Sequence, residues 1–519
     1  MRTLTVDGLT YYLPGSVAEV LDLVNEALAE HGTLALRGAG HSFPISTALE
    51  PAPSPGRPCR RVLLSDLAAV AFDAATGRVT VQAGCHLGFD PYDPAKVSTE
   101  ENSLCCQLDQ WGWALPDLGG ITHQTVGGFL ATGSAGGSTK FSFDEQLRAV
   151  SIVTAGAHGA ELVTFEAPAD GDPLDPFFAA GVSLGLFGVI VSATFQCVPR
   201  FAVQGSETTS AVAECAIDLF GAGTGARPSL ADYFRQTDYA RLMWWPQAGV
   251  EKVVVWEARQ VPVPPPPFIP TPYHEVPWVF DSPLPVTALA DGVFTLIDDL
   301  PAWLSQHFGH DSKLYHEPMA LGEGALPHLL NLFVTTNTPE NPPQLFRDLW
   351  HHGIPMDNQM DDKLMGVWFT ELWVPLPRAA AVMQALRGYY AQGLAQTGTF
   401  SCEIYAGKAS PFWLSPAFGT DVVRIDVFWF ANSPGRPDTA FYPQFWDLLQ
   451  PFNFRPHWGK FLPPADGAQG VAYLQAQYPN FGAWLALRAQ FDPQQVFVTP
   501  YWRRHLGLAA VPAAEAVSA

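Results

Sequence analysis

Over the first 200 residues, the spacing of hydrophobic residues is helical in some segments and alternates as in a strand in others. Residues 16–30 have apolar side chains at helical spacing after Ser16, so they predict an amphipathic helix with Ser16 as its N-cap. Residues 34–36 predict a short buried strand, and the alternation over 79–82 predicts another strand that ends in a turn. This mixture predicts an α+β domain over residues 1–200.

A second domain is predicted from residue 201 onward. Strands are predicted at residues 243–246, 253–256, 367–374 and 422–430, and a helix at 379–390. A proline-dense stretch over 261–285 cannot be a helix or a central strand. It predicts a rigid surface loop in preference to a polyproline helix that serves as a peptide ligand.

The turn over residues 36–43 has the sequence Leu-Arg-Gly-Ala-Gly-His-Ser-Phe and follows the predicted strand directly. Because Gly38 and Gly40 lack a Cβ, the backbone can adopt a positive φ and let a large planar group approach closely. Arg37 and the loop amides can hold a pyrophosphate. His41 then stands at the rim, where an imidazole nitrogen could be linked to a flavin ring. The alternative is a polar surface turn, since glycine-rich loops are common.

A second glycine-rich run, residues 113–138, has seven glycines and five hydroxyl residues from Gly119 onward. This composition disfavours a helix or an ordinary strand and suits a backbone that lies against a cofactor. The run is neither a dinucleotide fingerprint nor a Walker phosphate loop, since both spacings are absent from it.

The order of these segments resembles the flavin-binding (PCMH-type) domain of the vanillyl-alcohol-oxidase type of flavoprotein, over about the first 200 residues. The resemblance implies a covalent bond between His41 and the flavin 8α carbon. Thr122 aligns with the linking cysteine of doubly linked members and cannot form a thioether, so a single link is implied. Cys105 and Cys106 do not align with that position. The implied cofactor contacts are Arg37, Gly38, Ala39, Gly40, His41, Ser42, Pro116, Gly120, Thr122, Gly127, Gly128, Ala131, Thr132, Gly133, Gly136 and Val189.

Three C-terminal segments narrow the family. Residues 454–460 contain His-Trp-Gly-Lys, and together with 402–405 and 491–501 they resemble the sugar-lactone and alditol oxidases. The resemblance implies an FAD-binding domain over 1–200 and a substrate (cap) domain over 201–460, with a large antiparallel sheet flanked by helices. Residues 461–519 are expected to return to the flavin domain.

Candidate catalytic residues follow from the same segments. Glu403 is a carboxylate in an apolar strand, where burial would raise its pKa towards that of a base or a substrate clamp. Lys460 could stabilise the reduced flavin or a developing alkoxide. A purely structural Glu403–Lys460 ion pair is the alternative. His457 is a candidate either for catalysis or for a structural hydrogen bond. Tyr405 and Asp426 are candidates from alignment alone.

This sequence differs from the family at three positions that are expected to face the substrate. Tyr405 stands where an arginine is common, Asp426 where alditol oxidases have a histidine, and Gly128 where they have a serine. A bulky or apolar alcohol is therefore expected nearly as much as a sugar alcohol or an aldonolactone.

The leading hypothesis is an FAD oxidase that takes a hydride from a CH–OH group and reduces dioxygen to hydrogen peroxide. Gly127 and Gly128 are expected to leave space for oxygen beside the ring. A dehydrogenase with another electron acceptor is one alternative. A catalytically silent flavin- or carbohydrate-binding protein is the other, and the presence of His41, Glu403 and Lys460 argues against it.

Composition excludes several other classes. The net charge of −22 disfavours nucleic acid and anionic membranes as partners. Seven cysteines without regular spacing indicate reduced thiols rather than a disulfide framework. Neither a signal peptide nor an apolar run long enough for a membrane span is seen, so a cytoplasmic location is expected. No metal site is predicted, because His316 and the pair His351-His352 lack partners at ligand spacing. The sequence leaves the oligomeric state open.

Overall fold

The computed structural model describes residues 1–42, 57–276, 312–359, 366–431 and 435–510, together with positions 288, 291, 292 and 307. Phe43 and the second half of the proline-dense stretch (277–285) lie outside the described residues, as does the side chain of His316.

A small mixed sheet begins the chain. Its strands are β1 (Arg2–Val6), β2 (Leu9–Leu13), β3 (Thr33–Arg37) and β4 (Cys59–Leu63), in the order β1-β2-β4-β3. Strands β1 and β2 are antiparallel, whereas β4 is parallel to both β2 and β3. Helix α1 (Val17–Ala29) confirms the first predicted helix, because the Ser16 hydroxyl accepts a hydrogen bond from the Glu19 amide at its N-terminus.

An antiparallel sheet follows, in the order β5-β6-β10-β8-β9. Its strands are β5 (Val70–Asp73), β6 (Arg78–Gln82), β8 (Leu147–Gly156), β9 (Gly159–Glu166) and β10 (Val189–Gln196), while β7 (Trp113–Ala114) pairs with β11 (Val198–Pro199). Three short helices accompany it: α2 (Leu104–Gln110), α3 (Val126–Ala131) and α4 (Phe177–Ala180). A short 3₁₀ helix spans Asp144–Gln146.

Helix α3 corrects the expectation that the second glycine-rich run contains no helix. The Thr125 hydroxyl caps it by accepting a hydrogen bond from the Gly128 amide at 3.3 Å. Gly127 is required for packing, because a Cβ there would lie 2.9 Å from the Ala83 Cβ. Capping and tertiary contact therefore outweigh the low helix propensity of glycine.

A large antiparallel sheet, eight-stranded within the described residues, occupies the middle of the chain in the order β17-β12-β16-β15-β19-β20-β18-β21. Its strands are β12 (Ala202–Ala211), β15 (Tyr239–Trp245), β16 (Lys252–Val261), β17 (Gln344–Leu349), β18 (Val367–Pro375), β19 (Cys402–Gly407), β20 (Val422–Phe430) and β21 (Arg455–Pro456). A small hairpin, β13 (Gly223–Thr224) and β14 (Arg227–Pro228), precedes β15. All four strands predicted from the sequence in this region are confirmed.

Helices flank this sheet. They are α5 (Leu230–Gln236), α6 (Lys313–Phe333), α7 (Trp350–Gly353), α8 (Ala379–Tyr390), α9 (Leu394–Thr397), α10 (Pro437–Ala440) and α11 (Tyr442–Leu449), with 3₁₀ turns at Val212–Glu214, Leu376–Arg378 and Gln450–Phe452. Helix α8 spans the predicted residues. Leu242, Ile404 and Ile425 of the sheet pack against α5, α8 and α11 in one apolar core, which leaves the alternate side chains of the strands on the opposite face.

The last helices are α12 (Val471–Gln477), α13 (Phe481–Phe491) and α14 (Pro500–Leu506). Trp484, Phe497 and Trp502 pack into the core of the N-terminal part, and the Leu34 amide donates to the Val496 carbonyl at 2.8 Å. The domain limits at 200 and 460 stay a prediction. No helix in the described part of the chain combines the length and the apolar character needed to cross a bilayer.

Candidate active site

A cavity of about 570 Å³ lies between the N-terminal part and the face of the large sheet opposite α5, α8 and α11. This face is called the cavity face below. Its wall has three parts: the turn after β3, the segment around α3, and side chains of β18, β19 and β20. All five candidate catalytic residues line it, namely Glu403, Tyr405, Asp426, His457 and Lys460. The structure therefore brings the N-terminal turn and the C-terminal signatures to one place.

The turn after β3 is built around its two glycines. A Cβ at Gly38 would lie 2.4 Å from the Thr125 Oγ1, and Gly40 has a φ of +92° with the Arg37 guanidinium 2.9 Å from its would-be Cβ. Both positions therefore exclude a larger residue. Arg37 Nη1 donates to the Tyr11 hydroxyl at 3.2 Å, and its buried Nε has no hydrogen-bond partner among the described residues.

His41 lies at the rim of this turn, and its side chain is 16% exposed. Its Nε2 has no hydrogen-bond partner in the described part of the chain and lies 4.0 Å from Asp90 Oδ1. The ring of His123 is 5.4 Å away, centre to centre. Burial and then the charge of His123 lower the pKa of His41 to about 3. At neutral pH its imidazole is therefore uncharged, with a nitrogen available for bonding.

The cavity face of the large sheet carries two rows of side chains, because residues two apart on a strand point to the same side. The register aligns one row across β15, β19, β20 and β18: Arg241, Tyr405, Arg424 and Trp373. The next row is Met243, Glu403, Asp426 and Glu371. Charged groups thus cross four strands of a sheet whose other face is apolar.

Arg424 is fully occupied by its neighbours. Its Nε and Nη2 donate to Glu371 Oε1 at 2.8 and 2.7 Å, and its Nη1 donates to the carbonyls of Ala135 and Gly136. The Trp373 indole also donates to Glu371 Oε1, at 2.7 Å. Burial acts to raise the pKa of Glu371, but the charge of Arg424, together with its other polar neighbours, outweighs burial, and the pKa is lowered. Glu371 is therefore ionised and committed to Arg424.

Arg241 is held in the same way on the other side of Tyr405. It pairs with Asp357, and its Nη2 donates to Glu207 Oε2 at 3.1 Å. The Tyr405 hydroxyl donates to Asp357 Oδ2 at 2.6 Å. Tyr405 stands where the family commonly has an arginine. In the structure it lies between Arg241 and Arg424, and each of these is already paired with carboxylates.

Glu403 and Asp426 face each other across β19 and β20. Glu403 Oε1 and Asp426 Oδ1 are buried, and neither has a hydrogen-bond partner among the described residues. Burial and the charge of Asp357 raise the pKa of Glu403 to about 8. Burial and the charge of Glu371 raise the pKa of Asp426 well above its usual range. Two facing carboxyl groups with open oxygens can bind a hydroxyl group and exchange a proton with it.

Lys460 and His457 also line the cavity. The nearest cation of Glu403 is Arg241, 3.9 Å from its Oε1, whereas the Lys460 ammonium lies 3.9 Å from the centre of the Phe369 ring. The charge of Lys460 acts on the carboxyl groups of Glu371 and Asp426. This arrangement does not correspond to the predicted alternative of a Glu403–Lys460 pair that joins two strands.

His457 is neutral, because burial lowers its pKa to about 4. Its Nδ1 accepts a hydrogen bond from the Gly459 amide at 3.0 Å. The proton therefore sits on Nε2, which donates to the Ser134 hydroxyl at 3.1 Å.

Most of the predicted cofactor contacts also line the cavity: Arg37, Gly38, Ala39, Gly40, His41, Ser42, Gly120, Gly127, Gly128, Ala131 and Thr132. The other five predicted contacts do not line the cavity, namely Pro116, Thr122, Gly133, Gly136 and Val189. The Pro116 carbonyl accepts from Tyr239, and the Thr122 hydroxyl accepts from Asn358. A Cβ at Gly136 would lie 2.2 Å from Asp117 Oδ1. Their direct contact with a cofactor stays a prediction.

Gly127 and Gly128, which are expected to leave space for oxygen beside the ring, have different surroundings. Gly127 packs against Ala83, as described above, whereas a Cβ at Gly128 would meet Thr125 Oγ1 at 3.1 Å and otherwise opens towards the cavity. The missing side chain of Gly127 lets α3 approach the end of β6, and space for oxygen beside the ring stays a prediction for both glycines.

Sequence reasoning missed several polar residues of the cavity wall, among them Ser134, Asp357, Glu371 and Arg424. Glu371 and Arg424 interrupt strands that are otherwise apolar, and this signal could have found them. Asp357 and Ser134 lie in loops with no comparable pattern. Phe369, Phe400 and Phe428 were also missed, and they form an apolar end of the cavity.

The residues present fit a flavin dinucleotide. A glycine turn without room for side chains lies beside Arg37, whose buried Nε is unpartnered among the described residues and could bind an anionic phosphate group. The open nitrogen of His41 lies on the same wall. The turn would hold the pyrophosphate side, and the face with Glu403 and Lys460 would lie at the reacting ring.

Comparisons with known proteins agree with this geometry. Residues 361–505 match the family model of D-arabinono-1,4-lactone oxidase. L-gulonolactone oxidase from Bos taurus is 21% identical over 495 residues, which covers 95% of this chain and 93% of that protein. L-gulono-1,4-lactone dehydrogenase from Mycobacterium tuberculosis is 23% identical over 507 residues, covering 95% of each. The crystal structure of cholesterol oxidase from B. sterolicum superposes with a TM-score of 0.66 at 15% identity, over 96% of this chain and 94% of that one.

The chain has the PCMH-type fold of FAD-dependent oxidases. In sequence it is similar to the sugar-lactone oxidases and dehydrogenases. The predicted fold class is thereby confirmed.

Proposed function

We propose that this protein oxidises a CH–OH group of an uncharged cyclic substrate, a sugar lactone or a bulkier cyclic alcohol, with an FAD linked covalently to His41. When bound, FAD takes a hydride from the substrate carbon at N5 and passes two electrons to dioxygen to give hydrogen peroxide. The observation that carries the proposal is that one cavity brings together His41 Nε2, Glu403 Oε1 and Asp426 Oδ1, all of them buried and without hydrogen-bond partners among the described residues.

The two facing carboxyl groups supply the acid–base function. The substrate hydroxyl binds to Glu403 Oε1 and Asp426 Oδ1, and Glu403 takes its proton as the C–H bond breaks. A carboxylate with a pKa of about 8 is a stronger base than an ordinary glutamate and is still ionised in part at neutral pH. Lys460 stabilises the negative charge that develops on the oxygen and beside the ring.

The charges of the wall support an uncharged substrate. Glu403, Asp426 and Asp357 line the cavity, and the two arginines are committed to Glu371, Asp357 and Glu207. At this face a substrate carboxylate would therefore meet carboxyl groups, and the guanidinium groups of Arg241 and Arg424 are already paired. A lactone has no such charge.

The paired arginines and the apolar end of the cavity also disfavour open-chain polyols. Tyr405 offers one hydroxyl, already donated to Asp357. Buried hydroxyl groups without partners cost about 1–3 kcal/mol each. Phe369 and Phe428 suit a compact ring better than a hydrated chain.

A substrate panel tests this proposal. Steady-state kinetics with peroxide detection would compare gulono- and arabinono-1,4-lactone and a sterol with xylitol and sorbitol. We expect the best cyclic substrate to exceed either alditol at least about tenfold in kcat/KM. Faster turnover of xylitol would overturn the assignment of the substrate class. Turnover with a redox dye but without peroxide would instead support the dehydrogenase alternative, for which the mycobacterial relative is the precedent.

The covalent link has its own test. Denatured wild-type protein should keep flavin fluorescence on the polypeptide in a gel and show the added mass of one FAD. His41→Ala should release its flavin, because the linking nitrogen is removed. Cys105→Ser and Cys106→Ser are matched controls that should keep the link. Free FAD from denatured wild type would defeat the claim.

A further inference from the structure

A second cluster of potential ligands lies outside the cavity, where α7 packs beside α2. His352 Nε2 is 3.1 Å from Glu100 Oε1, and His351 Nε2 is 3.9 Å from the same oxygen. The two imidazole rings are 4.1 Å apart, centre to centre. The ligand atoms of all three residues lie within 4.8 Å of one another. A single hydrogen bond accounts for His352 but not for the approach of both rings to one oxygen.

The geometry points to a binding site for a divalent transition-metal ion, with Zn²⁺ as the best match, formed by Glu100, His351 and His352. In a tetrahedral site with bonds near 2.1 Å, ligand atoms are about 3.4 Å apart. The two distances to Glu100 Oε1, 3.1 and 3.9 Å, lie on either side of this value. Two imidazoles and one carboxylate favour zinc, cobalt or nickel over magnesium or calcium. His352 and Glu100 are exposed enough to leave the remaining position to water.

The surroundings of the two imidazoles support this assignment. Asp109 Oδ1 lies 3.7 Å from the Nδ1 of His351, and Asp348 Oδ1 lies 3.9 Å from the Nδ1 of His352. Zinc-binding histidines commonly direct their second nitrogen to a carboxylate, which orients the ring and strengthens the ligand. Here each Nε2 faces Glu100 while each Nδ1 faces an aspartate.

The formal charges also balance a divalent ion. Glu100, Asp109 and Asp348 carry three negative charges when ionised, and Arg200 Nε lies 2.8 Å from Asp109 Oδ1. A dication would neutralise the charge that remains.

The ion would act as a structural brace. Glu100 and His352 are 252 positions apart in sequence, which is why the histidine pair showed no partner there. Glu100 belongs to the segment before α2, and the loop after α7 leads to Asp357, which contacts Arg241 and Tyr405 in the cavity. Metal binding would therefore fix the segment that carries a charged group of the active site.

Titration of chelator-treated, flavin-loaded protein with Co²⁺ and with Zn²⁺ tests the site. We expect one Co²⁺ per chain with a visible absorption band typical of four-coordinate cobalt, displaced by Zn²⁺, at a Kd that is roughly micromolar or tighter. Glu100→Gln and His352→Ala should weaken binding by about 100-fold or more, and Asp348→Asn by about 10–100-fold. The rise in Tm that Zn²⁺ causes should disappear in the first two variants.

His158→Ala, which removes an exposed histidine at the β8–β9 turn, is the matched control and should bind like the wild type. Circular dichroism would check that each variant is folded. The absence of saturable binding, or equal affinity in folded Glu100→Gln, would overturn the proposal. Loss of binding in His41→Ala instead would place the ion beside Asp90 and His123 and would equally overturn it.

Discussion

At the scale of single residues, position rather than type sets the acid–base behaviour of this site. Glu371 and Asp426 face each other across two strands, yet the pKa of Glu371 is lowered and that of Asp426 is raised. The difference arises because Arg424 binds Glu371 directly, while Asp426 Oδ1 has no hydrogen-bond partner in the described part of the chain. The open carboxyl groups of Asp426 and Glu403 are thus the ones available to a substrate.

We expect Glu403→Gln and Lys460→Met each to lower kcat by roughly 10²–10³ with little change in flavin content. For Glu403 the pH dependence is more specific. Its pKa of about 8 means that it is mostly protonated below pH 8 and ionised above, so kcat/KM should rise with pH through about 8. Glu403→Gln should lose this rise, because glutamine has no proton to release.

Exposed Glu340→Gln is the matched control for this prediction and should keep both the rate and the pH profile. If the Glu403 and Lys460 variants instead kept near-normal turnover but melted early, both residues would be structural. Stopped-flow reduction of the flavin and thermal melting would separate these outcomes.

At the scale of elements, the site depends on the contact between the turn after β3 and the N-terminus of α3. A Cβ at Gly38 would lie 2.4 Å from the Thr125 hydroxyl, which caps α3. We expect Gly38→Ala to displace this cap, lowering stability by about 1 kcal/mol or more and reducing flavin occupancy. The flavin-to-protein absorbance ratio and the midpoint of urea unfolding measure the two effects.

Gly482→Ala in α13 is the control, because a Cβ there meets nothing within 4 Å. It should leave occupancy unchanged and stabilise the helix slightly, since alanine has the higher helix propensity. Full flavin loading in Gly38→Ala would show that the contact with Thr125 is dispensable.

At the scale of the whole molecule, the cavity joins parts of the chain that are far apart in sequence. Its wall combines the turn after β3 with strands β18, β19 and β20. A ligand that binds there stabilises only the folded state, by about 2.7 kcal/mol at 100 times its Kd. We therefore expect His41→Ala stripped of flavin to melt below the same variant with saturating FAD. Equal Tm values in differential scanning fluorimetry would contradict a flavin site at this junction.

The sequence by itself determined the features that depend on local physics. Apolar periodicity predicted α1, α8, β18 and β20, because burial of one face leaves a repeat in the chain. The glycine turn marked the position of His41, and a lone carboxylate in an apolar strand marked Glu403.

Only the tertiary structure decided what surrounds these residues. The pairing of β19 with β20 places Glu403 opposite Asp426, and the fold brings Arg241 and Asp357 to Tyr405 from distant segments. Short helix α3 also escaped prediction, since its cap and packing outweigh glycine propensity. Charges and hydrogen bonds act over a few ångströms in space, whereas a sequence pattern reports only neighbours along the chain. For this reason the candidate residues could be predicted from the sequence, while their protonation, their ion pairs and their partners depended on strand order and register.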